Sequence, residues 1–255
     1  MIPRIIHYCW FGGHEMPQEY KTYIDGWKKI CPDYEVIEWN EHNFDVTKNQ
    51  YCMEAYAKKK WAFVSDYARL KIIYEHGGIY LDTDVELLKD ITPLIVDDIG
   101  YIGFENFMEV NTGLGFAAAP KNECVGKMLD VYTKQFFKQN GRDYEIPCPA
   151  TNTVALIEMG LLVDEKNRNK IQMLPGMKVY PITYFNPLDY DTGKMKISDN
   201  TYSIHHYAES WCMNNRWKKV VKKIVPKKLL EYRLRKIIRK QMMIIYDGMN
   251  EKQNE

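Results

Sequence analysis

The sequence predicts one α/β domain with helices layered against a central sheet, followed by a basic helical tail. The chain opens as β-α-β, with strand-like residues 4–10, a helix around residues 17–30 and a second strand at residues 34–39. Of the 255 residues, 45% are apolar and 27% are charged, which is typical of a globular domain with a proper core. The charge balance then changes abruptly, so we place the domain at residues 1–213 and the tail at residues 214–255.

The elements of the first half follow from turn and cap signals. Phe11-Gly12-Gly13 ends the opening strand as a loop. The clearest helix covers residues 65–76, with Ser65 as its N-cap and Gly77-Gly78 at its end. A short buried strand, residues 79–81, then runs directly into Asp82-Thr83-Asp84.

The second half of the domain continues the same alternation of strands and helices. The sequence predicts strands at 100–104, 178–180 and 202–205, helices at 121–139 and 151–162, and a glycine-punctuated segment at 111–119. No internal repeat or low-complexity linker interrupts it.

Several classes of protein are disfavoured by composition. The six cysteines are scattered without a C-x-x-C pair, which argues against a zinc knuckle or a disulfide scaffold and favours a reducing cytoplasm. The opening residues show no signal peptide, and no stretch of 18 or more apolar residues predicts a membrane span.

Two carboxylates, Asp82 and Asp84, follow the buried strand one residue apart. Ligands of open α/β sheets bind beyond the carboxyl ends of the strands, and alternate side chains of an extended segment point to one side. Asp82 and Asp84 could therefore share a hard cation that carries diphosphate oxygens. The alternative for an isolated Asp-x-Asp triplet is a solvated turn.

Asp66 and Arg69 are one helical turn apart and share a face of the preceding helix. Taken alone, such a pair could be a surface ion pair. Together with Gly77-Gly78-Ile79-Tyr80-Leu81-Asp82-Thr83-Asp84, it forms a specific signature.

This signature resembles glycosyltransferase family 32, the DXD sugar transferases, and is similar to the clostridial glucosylating toxins. The resemblance covers roughly residues 1–213 and is strongest over 65–86, with further matches at 2–13 and 203–211. It implies a single-domain GT-A fold of Rossmann-like type. It also implies a metal-dependent, retaining enzyme that moves a hexose from a nucleotide-diphosphate sugar, UDP-sugar favoured, to a saccharide acceptor in bacterial surface or capsular polysaccharide synthesis.

The resemblance also implies roles for single residues. Trp10 would stack on the nucleotide base, and the alternative is a core residue at the end of the strand. Asp66 and Arg69 would bind the donor sugar hydroxyls and order the diphosphate. Asp82 would touch the sugar, ribose and metal-bound water, whereas Asp84 would ligate Mn²⁺ or Mg²⁺ directly.

Further site residues are implied with more alternatives. Tyr80 would lie beside the sugar or pack in the core. In the closing segment, His206 is assigned as the third metal ligand in preference to His205, with Ser210 and Trp211 on the diphosphate side. The matches on the acceptor side are looser: Asn111, Gly113 and Pro149-Ala150-Thr151, where Cys148 replaces the glycine often found before the proline.

The tail is basic and amphipathic. Residues 214–243 hold 12 Lys and Arg against one acid, and apolar residues recur among them at helical spacing. We expect residues 214–245 to bind the inner-membrane surface, which would make the protein peripheral at the cytoplasmic face and suit a lipid-linked saccharide acceptor. The alternative is packing on the domain or on a second subunit, and no nucleic acid partner is expected because the body is acidic.

Two rival functions remain open. Ile79–Val85 also has the hydrophobic-DxDxV pattern of haloacid-dehalogenase phosphatases, in which the first Asp is the nucleophile, but no downstream Gly-Asp cluster follows. The other rival is a membrane-tethered protein that binds nucleotide sugars without turnover.

Overall fold

The structure, a computed structural model, describes residues 1–135, 137–139, 142–143, 145–164, 166–188, 194–207 and 227–251. Its helices are α1 (Gln18–Ile30), α2 (Gln50–Ala57), α3 (Trp61–His76), α4 (Glu123–Lys134), α5 (Cys148–Glu158) and α6 (Lys227–Glu251). Its strands are β1 (Ile5–Cys9), β2 (Glu35–Trp39), β3 (Gly78–Tyr80), β4 (Val85–Leu87), β5 (Gly100–Phe104), β6 (Val110–Asn111), β7 (Phe116–Ala118), β8 (Lys138–Gln139), β9 (Arg142–Asp143), β10 (Gln172–Leu174), β11 (Met177–Tyr180) and β12 (Ser203–His205).

The central sheet is mixed, with eight strands. Seven follow the order β10-β11-β5-β7-β3-β1-β2, and β6 pairs with β5. β1 runs parallel to both β2 and β3, so these three strands end at the same edge of the sheet. β7 returns antiparallel between β3 and β5, which brings the turn before β7 to that edge as well. β4 and β12 pair with each other as a separate two-stranded ribbon.

Hydrophobic cores cover both faces of the sheet. Successive residues of one strand point to opposite faces, as Tyr101 and Ile102 do. Helices α2 to α5 pack on one face and α1 packs on the other. Since helices cover both sides of a sheet rich in parallel strands, the predicted layered α/β architecture is confirmed.

Helix α3 differs at its start from the sequence-based prediction. It begins at Trp61, so Ser65 lies inside the helix and is not its N-cap. The preceding turn is helical because Phe63 and Val64 are buried against the core, and this burial outweighs the capping preference of a serine. The predicted end is correct: Gly77 closes the helix with a φ of +68°, a conformation that glycine adopts without strain.

The C-terminal helix α6 packs on the domain. Ile238, Met242 and Ile245 are buried in the core cluster that contains α4 and α5. For these three residues, packing on the domain, which was the alternative to membrane binding, is what the structure shows. The predicted boundary at residue 213 and the lysines Lys218, Lys219, Lys222 and Lys223 lie outside the described residues. Within the described part of the chain, no helix combines the length and the apolar character that crossing a membrane requires.

Candidate functional site

Asp82 and Asp84 lie just beyond the sheet edge at which β1 and β3 end. The Leu81 amide still donates to the His7 carbonyl at 3.0 Å, which extends the pairing by one residue past β3. The Val85 amide then donates to the Asp82 carbonyl at 3.0 Å and closes a turn into β4. The predicted position after a buried strand is confirmed, and the triplet is held by the backbone on both sides.

A buried guanidinium joins the signature residues. Arg69 Nη2 lies 3.0 Å from Asp82 Oδ1 and 3.2 Å from Asp66 Oδ1. The Arg69 side chain is only 4% exposed, so this is not the surface ion pair that the sequence left open. Burial raises the pKa of Asp66 to about 6, although Arg69 acts to lower it. An isolated buried charge would be costly, and the pairing compensates both carboxylates.

Tyr80 belongs to the same group. Its hydroxyl donates to Asp82 Oδ1 at 2.9 Å, and the Arg69 guanidinium lies 5.0 Å from the centre of its ring. The side chain is 1% exposed, so Tyr80 orients Asp82 from within the core. Tyr80 is therefore both a core residue and part of the site, which were the two alternatives predicted for it.

His205 completes a candidate metal centre. The ligand atoms of Asp82, Asp84 and His205 all lie within 4.8 Å of one another. His205 Nε2 is 3.3 Å from Asp84 Oδ1 and 4.0 Å from Asp82 Oδ2. Burial alone would lower the pKa of His205, but the Asp84 carboxylate raises it above its ordinary value.

The sequence assigned the third ligand to His206, whereas the geometry places His205 beside the two carboxylates. His206 Nε2 contacts Glu86 Oε2 at 2.8 Å, and the His206 ring stacks on Tyr23 at 4.9 Å between centroids. The reason is strand alternation: Ile204 points into the core, so His205 points to the opposite side, toward the carboxylates. His206 follows the end of β12 and turns away. The sequence signal that could have favoured His205 is the apolar Ile204 in the predicted strand, because the next residue points to the opposite side.

The donor atoms fit a divalent cation. Two carboxylate oxygens and one imidazole nitrogen suit Mn²⁺, and the oxygens suit Mg²⁺. Around this point three carboxylates, those of Asp66, Asp82 and Asp84, are opposed by the single guanidinium of Arg69 when His205 is neutral. This excess of negative charge favours binding of a cation.

The turn before β7 also contributes to the site, beside α3 and the segment that follows β3. Arg69 Nη1 lies 3.5 Å from Thr112 Oγ1 and 3.6 Å from Cys148 Sγ, while Asn152 Nδ2 donates to Thr112 Oγ1 at 2.9 Å. A Cβ on Gly113 would lie 2.5 Å from Asp82 Oδ2, so only glycine allows this approach. The sequence analysis linked Gly113 only loosely to the acceptor side. The structure places it against Asp82.

Glu105, directly after β5, is a further site residue that the sequence did not reveal. Burial raises the pKa of its carboxyl, and His205, together with hydrogen bonds to Asn111 and Tyr207, acts to lower that pKa. Asn111 Oδ1 accepts from the Gly113 amide at 2.6 Å and from Cys148 Sγ at 3.3 Å. Lone carboxylates have no sequence signature, so only the fold could connect Glu105 with the metal centre.

The remaining predicted residues have three outcomes. Trp10 is half-buried at the end of β1, packs edge-on against Tyr20 at 5.8 Å and donates to the His14 carbonyl, so its role on the base stays a prediction. Ser210 and Trp211 lie outside the described residues. Ala150 and Thr151 are fully buried in α5 and do not line an open acceptor surface.

Comparisons with known proteins agree with this geometry. Residues 17–101 match the model of a family described as a glycosyltransferase sugar-binding region containing a DXD motif. The match includes Asp66, Arg69, Asp82 and Asp84. The resemblance predicted from residues 65–86 is therefore confirmed, and with it the class of protein to which this region is similar.

Two relatives share about a third of the chain. An uncharacterized glycosyltransferase of Acanthamoeba polyphaga mimivirus is 37% identical over 97 residues, which are 36% of this chain and 39% of the relative. Inositol phosphoceramide mannosyltransferase 3 of Schizosaccharomyces pombe is 32% identical over 102 residues, 37% of this chain and 27% of the relative. The similarity thus spans well under half the length of either relative.

One solved structure resembles the fold. The PaToxG glycosyltransferase superposes with a TM-score of 0.51 at 18% identity, covering 62% of this chain and 69% of that one. The likeness concerns architecture alone, and it confirms the predicted GT-A type of α/β fold.

Proposed function

We propose that this protein transfers a hexose from a nucleoside-diphosphate sugar to a saccharide acceptor. Residues 17–101 match the model of the glycosyltransferase sugar-binding region that contains a DXD motif, and this match supports the proposal. The single observation that carries the proposal is the contact between two sites. The Asp82–Asp84–His205 centre shares Asp82 with the buried Asp66–Arg69 pair. A diphosphate on the first and a sugar on the second would be neighbours.

The reaction follows from the chemistry of these groups. The bond between the anomeric carbon and the diphosphate oxygen breaks, and the acceptor hydroxyl oxygen forms a new bond to that carbon on the same face, with retention. The hydroxyl proton passes to the departing diphosphate oxygen. A bound Mn²⁺ or Mg²⁺ would neutralise the charge that develops on the leaving nucleoside diphosphate. Asp66 and Arg69 hold the sugar hydroxyls, and Tyr80 keeps the Asp82 carboxylate in place.

Asp82 is poorly suited to the rival phosphatase reaction. One of its oxygens, Oδ1, is occupied by the Tyr80 hydroxyl and by Arg69. A nucleophilic carboxylate needs a free oxygen directed at the substrate phosphorus, and only Oδ2, which faces His205 Nε2 at 4.0 Å, is left for that role. These contacts favour the transferase over the phosphatase.

We also propose that the protein binds a membrane surface through α6. The outward side of α6 carries Lys236, Arg239 and Lys240 together with the exposed apolar residues Ile237 and Met243. Exposed bases interleaved with apolar side chains suit an anionic lipid surface. We infer a peripheral protein at the cytoplasmic face of a membrane, acting on a lipid-linked saccharide in surface polysaccharide synthesis. Sedimentation with anionic liposomes at low and high salt tests this, and no binding at low salt would reject it.

The central experiment is a donor-hydrolysis screen. UDP-glucose, UDP-galactose and GDP-mannose are incubated with the full chain and Mn²⁺, and free nucleoside diphosphate is measured. We expect release from one donor, loss of release in excess EDTA, and loss with Asp84→Asn. Release of phosphate from p-nitrophenyl phosphate instead would favour the phosphatase. Donor binding without release would favour a binding protein that lacks turnover.

A further inference from the structure

Two buried tyrosine hydroxyls behind the Asp66–Arg69 pair lack hydrogen-bond partners. Tyr51 on α2 is 2% exposed and Tyr132 on α4 is 1% exposed, and neither Oη finds a partner among the described residues. Their rings lie 4.9 Å apart between centroids. A buried hydroxyl without a partner destabilises the folded state, so two such hydroxyls on contacting rings indicate a position where another group binds.

The same charged pair, Asp66 and Arg69, acts on both hydroxyls. After burial itself, the Asp66 carboxylate is the strongest cause that raises the pKa of Tyr51 and of Tyr132, while Arg69 acts to lower both. Both phenols therefore stay neutral and able to donate. The helices explain this proximity, since α3, which carries Asp66 and Arg69, packs against α2 and α4.

The rest of this inner corner is also polar and enclosed. Cys148, at the start of α5, contacts Arg69 Nη1 and donates to Asn111 Oδ1. One helical turn further along α5, Thr151 Oγ1 is fully buried and has no partner among the described residues. Buried hydroxyl and thiol groups of this kind suit a small, uncharged ligand.

We propose that Tyr51, Tyr132 and Asp66 form a hydroxyl-binding subsite at the inner end of the donor site. A hydroxyl oxygen has two lone pairs and one hydrogen, so it can accept from both tyrosines and donate to the carboxylate. An anion is disfavoured by Asp66 and a cation by Arg69. The hydroxyl comes either from one enclosed water or from the far edge of the donor sugar. The subsite rests on the proposed function, because it extends that same donor pocket.

The test compares a nucleotide sugar with its nucleoside diphosphate. Binding of each to the full chain is measured by calorimetry in Mn²⁺, using whichever of UDP-glucose, UDP-galactose and GDP-mannose the wild type hydrolyses. Tyr51→Phe and Tyr132→Phe remove one hydroxyl each. We expect each variant to bind the nucleotide sugar about tenfold more weakly and to bind the nucleoside diphosphate as the wild type does. Tyr101→Phe, the same change in the core on the opposite face of the sheet, should affect neither ligand.

The outcomes separate the two proposals. If the wild type binds no nucleotide sugar, the proposed function fails. If it does bind, but folded Tyr51→Phe and Tyr132→Phe bind nucleotide sugar like the wild type, the subsite is overturned. A purely structural role would weaken the binding of nucleotide sugar and nucleoside diphosphate equally, and would also overturn it.

Deoxy donors then identify the source of the hydroxyl. If a sugar hydroxyl fills the subsite, its removal weakens binding to the wild type, and Tyr51→Phe adds no further loss for that donor. If a water fills it, Tyr51→Phe weakens binding of every deoxy donor by the same factor. Both results support the subsite.

Discussion

His205 and His206 are adjacent in sequence but lie in different surroundings, so the pair offers a matched comparison. His205 faces Asp84, whereas His206 faces Glu86 and Tyr23. We expect His205→Ala to weaken Mn²⁺ binding by at least about tenfold and to abolish donor hydrolysis. His206→Ala should leave Mn²⁺ binding close to the wild-type value. Manganese titration followed by electron paramagnetic resonance measures both, and the reverse order would restore His206 as the ligand.

Gly113 sets how closely the turn before β7 approaches Asp82. In Gly113→Ala the new methyl would lie 2.5 Å from Asp82 Oδ2 and 3.2 Å from Arg69 Nη1, so the carboxylate must move. We expect donor hydrolysis to fall by about 10²–10³-fold while the protein stays folded. The control is Gly26→Ala, where no atom lies near the new methyl and a helical alanine stabilises by about 0.5–1 kcal/mol. Equal activity of the two variants would show that Asp82 tolerates displacement.

The buried carboxyl of Glu109 should make the free energy of unfolding depend on pH. It is 6% exposed, and burial raises its pKa from 4.5 to about 7. Between these values the native state binds more protons than the unfolded state, so stability falls as pH rises from about 4.5 to 7. Glu109→Gln removes this loss.

The measurement is urea unfolding at pH 5 and pH 8. The variant should gain about 1–3 kcal/mol over the wild type at pH 8 and much less at pH 5. Glu35→Gln, at an exposed position, should show no such difference between the two pH values. A gain that is equal at both pH values would mean that packing, and not the charge of Glu109, is responsible.

The site could be predicted from sequence where its residues are local. Asp66, Arg69, Asp82 and Asp84 lie on one helix and the strand after it, so spacing and turn signals placed them together. The positions of His205, Glu105 and the tyrosines of the inner subsite depend on pairings across the fold. For these residues only the topology decides which side chains reach Asp82 and Asp66.

At the scale of elements, two neighbouring residues of α6 allow a test of whether its apolar stripe is part of the core. Ile237 and Ile238 are neighbours, yet Ile238 is 1% exposed and Ile237 is 54% exposed. Ile238→Ala should lower the free energy of unfolding by about 2–5 kcal/mol, because it leaves a cavity between α6 and the domain. Ile237→Ala should change it by less than about 0.5 kcal/mol. Chemical denaturation measures both, and equal small effects would mean that α6 is not held against the domain in solution.

Helix periodicity predicted α6 but not its partner. An apolar stripe with a period of 3.6 indicates that one side is covered, and a membrane, a second subunit or the domain satisfies the pattern equally. The start of α3 was also wrongly predicted, because the periodic pattern does not show which residues are buried. Buried residues extend this helix by one turn on the N-terminal side of Ser65.

At the scale of the molecule, the sequence predicted layers but not strand order. The opening β-α-β pattern indicates parallel neighbours, and β1 does pair with β2 and β3. The insertion of β7 between β3 and β5 could not be read from periodicity, because β7 has only three residues. That insertion carries Thr112 and Gly113 to Asp82, so the sheet order is what completes the site.

The β4–β12 ribbon has a consequence for how the native state opens. The ribbon pairs residues 203–205 with residues 85–87, and the pairing continues where the His206 amide donates to the Asp84 carbonyl. A cation held by both Asp84 and His205 would act as a clasp across it. Any local opening that separates β12 from β4 would break this site, so cation binding would raise the free energy of that opening. Hydrogen–deuterium exchange should show the amides of residues 203–207 slowing when Mn²⁺ is added to the wild type, with no slowing in His205→Ala.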